Sequence, residues 1–213
     1  MDNLKEFWEK VPTGWRHFTT GKNTLTKEKS KRIIDRVTKN LFNHIDFSEV
    51  NNALDWGCGG GLLSKELSKK CLIHMVDISP ASLKNAKIFL DDSVYGESII
   101  LPNNLEEFKY NGEKIDLIFS NEVIQHFPSL SYFENVLTVW KEINPTYIAA
   151  QIKLDKKTKQ TKNYEKNFLN GLRFNEKDFI NYFLDLGYKN THTGYEWTKQ
   201  KDCQLGYYVF IKK

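Results

Sequence analysis

Hydrophobic positions in this chain follow two alternating patterns for its first 150 residues. Residues 26–45 place Ile33, Ile34, Val37, Leu41 and Ile45 at the spacing of one apolar helix face, with Thr24 or Thr26 positioned to cap its start. Short unbroken apolar runs follow: NALDW, CLIHMVDI, SIIL, KIDLIFS and YIAAQI. Runs of this kind, rich in β-branched residues and lacking polar alternation, predict strands buried on both faces. Helical patterns near 62–70, 80–90 and 130–143 separate them. Strands alternating with helices predict right-handed crossovers into a parallel sheet.

The C-terminal third has a different rhythm. NEKDFINYFLDLGY reads as an amphipathic helix with Asn175 as cap and Gly187 as stop. KNTHTGYEW and LGYYVFIKK then predict two strands joined through the polar segment TKQKDCQ as a hairpin. The expected fold is α/β: a doubly wound, mostly parallel, Rossmann-like sheet of seven strands. Helices cover both faces, and an antiparallel hairpin strand closes the C-terminal end. At 213 residues a single domain is expected, with 1–48 an aromatic arm and helix forming a substrate lid and 49–213 the cofactor-binding core. The Lys-rich KLDKKTKQTKNYEK, 153–166, reads as a solvated loop or as a basic rim facing an anionic substrate.

Composition narrows the function classes. Lys plus Arg number 31 against 27 Asp plus Glu, a balance too even for a strongly basic nucleic-acid binder. Cys58, Cys71 and Cys203 form no CxxC pair, which argues for reduced thiols and against a zinc site. The opening MDNLKEFWEK lacks the basic and apolar regions of a signal peptide, and no apolar run approaches the ~18 residues of a membrane span. A cytoplasmic protein, monomer or homodimer, is the expectation.

The segment ALDWGCGGGLLSKEL carries the first chemistry. In a doubly wound sheet, ligands bind beyond the carboxyl ends of the strands. Gly57, Gly59, Gly60 and Gly61 lie between NALDW and a helix opening near Leu62. Glycine there permits positive φ and lets a ligand lie against bare backbone, and four glycines exceed what a turn alone requires. The next strand ends in Asp77, 22 residues after Asp55, where a carboxylate accepts hydrogen bonds from ribose hydroxyls. Ser79, immediately before Pro80, is the better helix cap and leaves Asp77 for the ligand. A ribose-bearing cofactor follows, either a dinucleotide or S-adenosylmethionine. Leu62 stands where the dinucleotide fingerprint wants its third small residue, and the pattern here is D-x-G-x-G-x-G through Asp55, Gly57, Gly59 and Gly61.

LDWGCGGGLLSKEL, MVDIS, NNLEEF and DLIFSNEVIQHFPS, in this order and spacing, resemble the motifs of class I S-adenosylmethionine-dependent methyltransferases, in the small-molecule branch. The resemblance covers about residues 50 to 213. It implies S-adenosylmethionine as cofactor and S-adenosylhomocysteine as product. Asp55 and the Gly57–Gly61 backbone, Cys58 and Gly59 included, would hold the methionine end. Asp77 would bind the ribose, Ile78 the adenine face, and Asn104 and Leu105 the adenine edge, with Ser120 and Asn121 near the reacting methyl. Two features depart from the family pattern: Asn104 replaces a common Asp, and INPTY replaces a proline–glycine–glycine turn.

NPTY, 144–147, is similar to the signature of amino-methylating nucleic-acid enzymes, but it precedes the fifth strand and reads as a turn. SNEV occupies the position after the fourth strand instead. Hydroxyl methylation benefits from a general base, which singles out His126 and His17, with Glu122 to replace or orient a histidine. His74 reads as a core residue, His44 and His192 as peripheral, and no metal site is expected. Trp15, Arg16, His17 and Lys22 in the arm, with Arg173, suit a lid over an anionic acceptor. The expected activity is methyl transfer to a hydroxyl of a small polar acceptor, phosphorylated or nucleotide-linked, such as a sugar for a surface polysaccharide. Methylation of RNA or protein is the alternative. More remote are an NAD-dependent oxidoreductase and a non-catalytic module.

Overall fold

A computed structural model gives the arrangement of residues 5–8, 26–90, 95–102, 105–162, 164, 171–197 and 204–213. Strands β1 (Asn52–Trp56), β2 (Leu72–Asp77), β3 (Tyr95–Ile100), β4 (Leu117–Ser120) and β5 (Tyr147–Leu154) run parallel. A short pair, β6 (Lys159–Gln160) and β7 (Leu172–Arg173), forms a separate ribbon. Strands β8 (Tyr188–Trp197) and β9 (Gln204–Lys212) make the C-terminal hairpin, and β9 pairs antiparallel with β5. The seven-stranded sheet has the order β3-β2-β1-β4-β5-β9-β8, so the chain reverses direction across the sheet between β1 and β4. Among the described residues, no helix is long and apolar enough to cross a membrane.

The lack of polar alternation in the strands has a direct cause. Successive side chains point to opposite faces, and both faces are covered. Leu54, Trp56, Ile118, Ile148, Ala150 and Phe210 belong to one buried cluster; Ala53, Phe119, Ala149 and Val209 belong to the other. Helices α4 (Leu130–Ile143) and α5 (Glu176–Asp185) close the first face with Phe133, Trp140, Phe179 and Phe183. Phe183 stacks on Phe210 with ring centroids 4.2 Å apart. Burying each such ring contributes about 1.5–3 kcal/mol. On the second face α1 (Lys27–Asn40), α2 (Leu62–Leu67) and α3 (Pro80–Phe89) contribute Val37, Leu63, Leu67, Leu83 and Ala86.

Local chemistry ends the elements where the sequence says it should. Thr26 caps α1, Ser79 caps α3 ahead of Pro80, and Asn175 caps α5. Gly187 follows α5 at φ 87°. In NPTY, Asn144 is the left-handed C-cap of α4 (φ 58°) and Tyr147 opens β5, so the segment is a turn. Two expectations need adjustment. The first helix ends at Asn40, after which Phe42–His44 forms a separate 3-10 turn. Residues 153–166 are not wholly a loop: they contain the end of β5 and all of β6.

Gly171, just before β7, has no free space. Its N–H donates to Gln125 O at 2.8 Å, and an added Cβ would collide with the Phe127 carbonyl. At Gly187 a Cβ would meet nothing within 4 Å, leaving only the conformational cost of φ 87°. Gly187→Ala should therefore cost about 1–2 kcal/mol in urea unfolding. Gly171→Ala should cost more, beyond the ~1–3 kcal/mol typical of overpacking, because backbone must move. Equal losses would contradict this account.

Candidate functional site

The switch between β1 and β4 opens a cleft at the carboxyl ends of the strands, as doubly wound sheets require. Its walls are Trp56, Gly57 and Gly59 after β1, Asp77 and Ile78 at the end of β2, and Leu101 after β3. Glu122, Val123, His126 and Phe127 follow β4; Tyr132 comes from α4 and Trp8 from the helical turn at residues 5–8. A smaller adjoining cavity is lined by Asp55, Gly57, Cys58, Leu62, Leu63, Phe119, Asn121 and Glu122.

The glycine turn is held from inside the protein as well as open to a ligand. Gly57, Gly59 and Gly61 have φ of 80°, 53° and 83°. A Cβ on Gly57 would collide with the Val123 side chain, and one on Gly61 would stand 3.0 Å from Ala86 Cα. Two of the four glycines are thus demanded by the protein's own packing, a constraint that sequence alone assigned to the ligand.

Asp55 and Asp77 are buried at the bottom of this turn, 3% and 8% exposed. Ser64 donates its hydroxyl to Asp55 Oδ2 at 2.6 Å. Asp77 Oδ2 accepts the Gly59 N–H and Oδ1 the Ser79 N–H, both at 2.9 Å. Asp77 is thus engaged by backbone and still retains acceptor capacity on each oxygen. Burial is the main reason both pKa values rise, Asp55 to about 7 and Asp77 to about 6. For Asp55 the Ser64 hydrogen bond pulls the value down and the Asp77 charge adds to the rise.

Beyond β4 the backbone is strained. Glu122 adopts φ 59°, in the left-handed region rarely taken by such a side chain. Its N–H donates to Gln151 Oε1 at 2.9 Å, and its Oε1 accepts from Arg36 Nη2 at 2.6 Å. Burial opposes the Arg36 charge, but Glu122, Tyr207 and Glu196 outweigh it and raise the pKa. His126 sits edge-on to Trp8, ring centroids 4.9 Å apart, and Gln125 Nε2 lies 3.4 Å from its Nε2. Tyr164 donates to the His126 carbonyl.

The expected site residues therefore divide. Asp55, Gly57, Cys58, Gly59, Asp77, Ile78, Asn121, Glu122 and His126 line the two cavities. Gly61 caps α2 beside them, and Ser120 is buried at the end of β4. Leu105 is a core residue. Trp15, Arg16, His17, Lys22 and Asn104 lie outside the described residues. Arg173 stands in another cleft, 3.6 Å from Asp155 and near Lys156 and Lys159. His74 is buried in β2, and His44 and His192 stack on each other at 3.3 Å. Trp8 belongs to the aromatic arm expected over the cofactor; Tyr132 and Arg36 escaped the sequence analysis. An aromatic or cation at helical spacing carries no mark of the distant site it reaches.

The residues present fit a nucleoside cofactor with a charged tail. Asp77 offers acceptors beside an apolar wall of Ile78, Leu101 and Trp56. Ser120 Oγ and Asn121 Oδ1 are buried with no hydrogen-bond partner among the described residues. Buried polar atoms of this kind call for a ligand or water. Fold and site together define a nucleoside-binding α/β enzyme of the methyltransferase type.

Comparison with known proteins makes the assignment specific. A family model described as "Methyltransferase domain" matches residues 54–145, and with the relatives below it supports a class I S-adenosylmethionine-dependent methyltransferase. The chain is 26% identical over 181 residues to a ubiquinone biosynthesis O-methyltransferase of Bartonella tribocorum, covering 75% of this chain and 72% of that protein. It is 26% identical over 100 residues to an uncharacterized methyltransferase of Schizosaccharomyces pombe, covering 46% of this chain and 36% of that one. The fold is shared with an S-adenosylmethionine-dependent methyltransferase of Leishmania major, with a TM-score of 0.71, 16% identity and coverage of 98% and 82%. Magnesium protoporphyrin IX methyltransferase from Synechocystis with bound S-adenosylmethionine gives a TM-score of 0.68, 16% identity and coverage of 100% and 98%. Neighbours of this fold are solved with S-adenosylmethionine or S-adenosylhomocysteine bound, which supports S-adenosylmethionine as the cofactor.

Ribose hydroxyls donate more strongly to ionised Asp77 than to its neutral acid, so binding should release protons wherever the ligand-free carboxyls are still protonated. Affinity for S-adenosylhomocysteine should rise from about pH 5 to 8 as Asp77 and Asp55 ionise. Calorimetry in two buffers of different ionisation enthalpy checks the proton release. Asp77→Asn should weaken binding by about 1.5–3 kcal/mol, the worth of hydrogen bonds to a charged group, and flatten the pH dependence. A pH-independent affinity in the wild type would exclude the raised carboxyls from the site.

Proposed function

We propose that this methyltransferase acts on a hydroxyl oxygen of a small molecule with an aromatic or otherwise apolar body. The supporting observation is the wall after β4: Trp8 packed edge-on against His126, with Phe127 and Glu122 beside them. Among the described residues lining this cleft there is no lysine or arginine. With Arg173 in a different cleft, nothing described there favours a phosphorylated acceptor over an uncharged one. The Bartonella relative, named as an O-methyltransferase, supports oxygen as the acceptor atom.

The bound cofactor would supply an electrophilic methyl group on a sulfonium, leaving as the neutral thioether of S-adenosylhomocysteine. Asp77, Ile78 and the Gly57–Gly59 backbone would hold its nucleoside end, and Asp55, Cys58 and Asn121 its amino-acid end. His126 takes the proton of the acceptor hydroxyl, a contribution of about 10²–10⁴-fold for a positioned base. Trp8 and Phe127 keep water from the reacting face and hold the acceptor in line, where orientation alone is worth about 7–11 kcal/mol. Of the proposed lid, the helical turn carrying Trp8 stands over the cleft, while α1 packs into the core through Val37.

The first test is S-adenosylhomocysteine release with phenols, sugars, their phosphorylated and nucleotide-linked counterparts, and bulk RNA. Turnover should be confined to small hydroxyl compounds and be strongest with aromatic ones; turnover with RNA alone would overturn the proposal. With the acceptor found, His126→Asn should slow turnover about 10²-fold or more while leaving S-adenosylhomocysteine affinity within about twofold. Wild-type turnover in that variant would remove His126 as the base.

A further inference from the structure

Gly57 and Glu122 are the residues common to the linings of both cavities. One cavity holds Asp77 and Ile78, the nucleoside end in the assignment above, on which this inference rests; the other holds Asp55, Cys58 and Asn121. In S-adenosylmethionine the sulfonium is the atom that joins nucleoside to amino acid. Its positive charge would then fall near the residues the two cavities share, Gly57 and Glu122.

We propose that Arg36 is a positioning residue that fixes the Glu122 carboxylate at this junction. There Glu122 favours the cationic sulfonium of S-adenosylmethionine over the neutral thioether of S-adenosylhomocysteine. The geometry is specific on both sides of the carboxylate. Arg36 Nη2 donates to Oε1 at 2.6 Å, and Glu122 lines both cavities. Arg36 is itself braced: its Nε lies 3.7 Å from Glu196 Oε2, which also accepts from the Tyr207 hydroxyl at 3.1 Å. Backbone restraint comes from Gln151, whose side-chain oxygen accepts the Glu122 N–H at 2.9 Å while its Nε2 donates to Ile152 O at 2.8 Å. Helix α1 and strands β5, β8 and β9 thus converge on one side chain.

The pair is about a quarter exposed on each side, 23% for Arg36 and 28% for Glu122, so solvent weakens the field without cancelling it. A carboxylate attracts a nearby sulfonium and has no such attraction for a neutral thioether. The consequence is a preference that helps load the substrate form of the cofactor and expel the spent one. Since Arg36 acts through Glu122, losing Arg36 should remove the preference without removing the cofactor site.

Calorimetric titration of the protein with S-adenosylmethionine and with S-adenosylhomocysteine tests this without an acceptor. Glu122→Gln should reduce the affinity ratio of the first over the second by about tenfold, or about 1.4 kcal/mol, chiefly through weaker S-adenosylmethionine binding. Arg36→Gln should lose most of the same ratio, and Arg36→Lys should restore it. Urea unfolding of each variant in parallel separates a loss of stability, which would weaken both ligands together. An unchanged ratio in Glu122→Gln, or a wild-type ratio in Arg36→Gln, would overturn the proposal. Wild-type protein that bound neither compound would overturn the cofactor assignment beneath it.

Discussion

Two carboxyl groups kept almost out of water, Asp55 and Asp77, are the constraint around which this end of the sheet is built. A buried carboxylate is costly unless it is hydrogen-bonded or paired, and here the partners are neutral: one serine hydroxyl for Asp55, two backbone N–H groups for Asp77. That is enough to hold the groups in place and too little to keep them fully ionised, which is why both pKa values rise. A group with a raised folded-state pKa adds stability below its unfolded value and loses it as pH climbs through the folded one. Here that window runs from about pH 4 to 7. The ligand-free protein is therefore least at ease with these residues where a cell would use it, and a cofactor bearing hydroxyls and positive charge relieves that.

The glycine turn shows how sequence evidence can be right for an incomplete reason. Four glycines between a strand and a helix point to a ligand lying on backbone, and the cleft does open there. Yet Gly57 is required by Val123, and Gly61 by Ala86 and Leu90. The two requirements are linked. Val123 stands against Gly57 because the chain leaving β4 crosses directly over the turn, and the same crossing brings Glu122 and His126 into the cleft. Close packing of the turn and assembly of the reactive wall are a single geometric event.

The legible parts of the fold were those with local causes. Unbroken apolar runs marked the strands because both sheet faces are buried, and Thr26, Ser79, Asn175 and Gly187 marked helix ends through their own hydrogen bonds or φ angles. Strands β6 and β7 were missed because two-residue strands have no period to detect. Of the residues that line the two cavities, those attached to motifs were legible: Asp55, Asp77, Asn121, Glu122 and His126. Arg36 was not. It lies 86 positions from Glu122, on a helix face where a charge normally meets solvent, and its pairing exists only once β8 and β9 have closed beside α1. Tyr132 was hidden for the same reason, since an aromatic at helical spacing normally joins a core.

Glu122 is where local and global demands conflict most openly. A left-handed backbone at this point suits glycine or asparagine, and a long side chain there costs energy that the surroundings must over-determine. If the sharp turn after β4 were all the fold needed, a smaller residue would make it more cheaply. The structure spends several contacts on keeping the larger one: Gln151 restrains the main chain, Arg36 the carboxylate, and Glu196 with Tyr207 restrains Arg36. Strain held by so many independent elements is accounted for if the side chain's charge is the purpose of the turn. Glu122 lines both cavities, so on the proposal above the charge it meets belongs to whatever spans them.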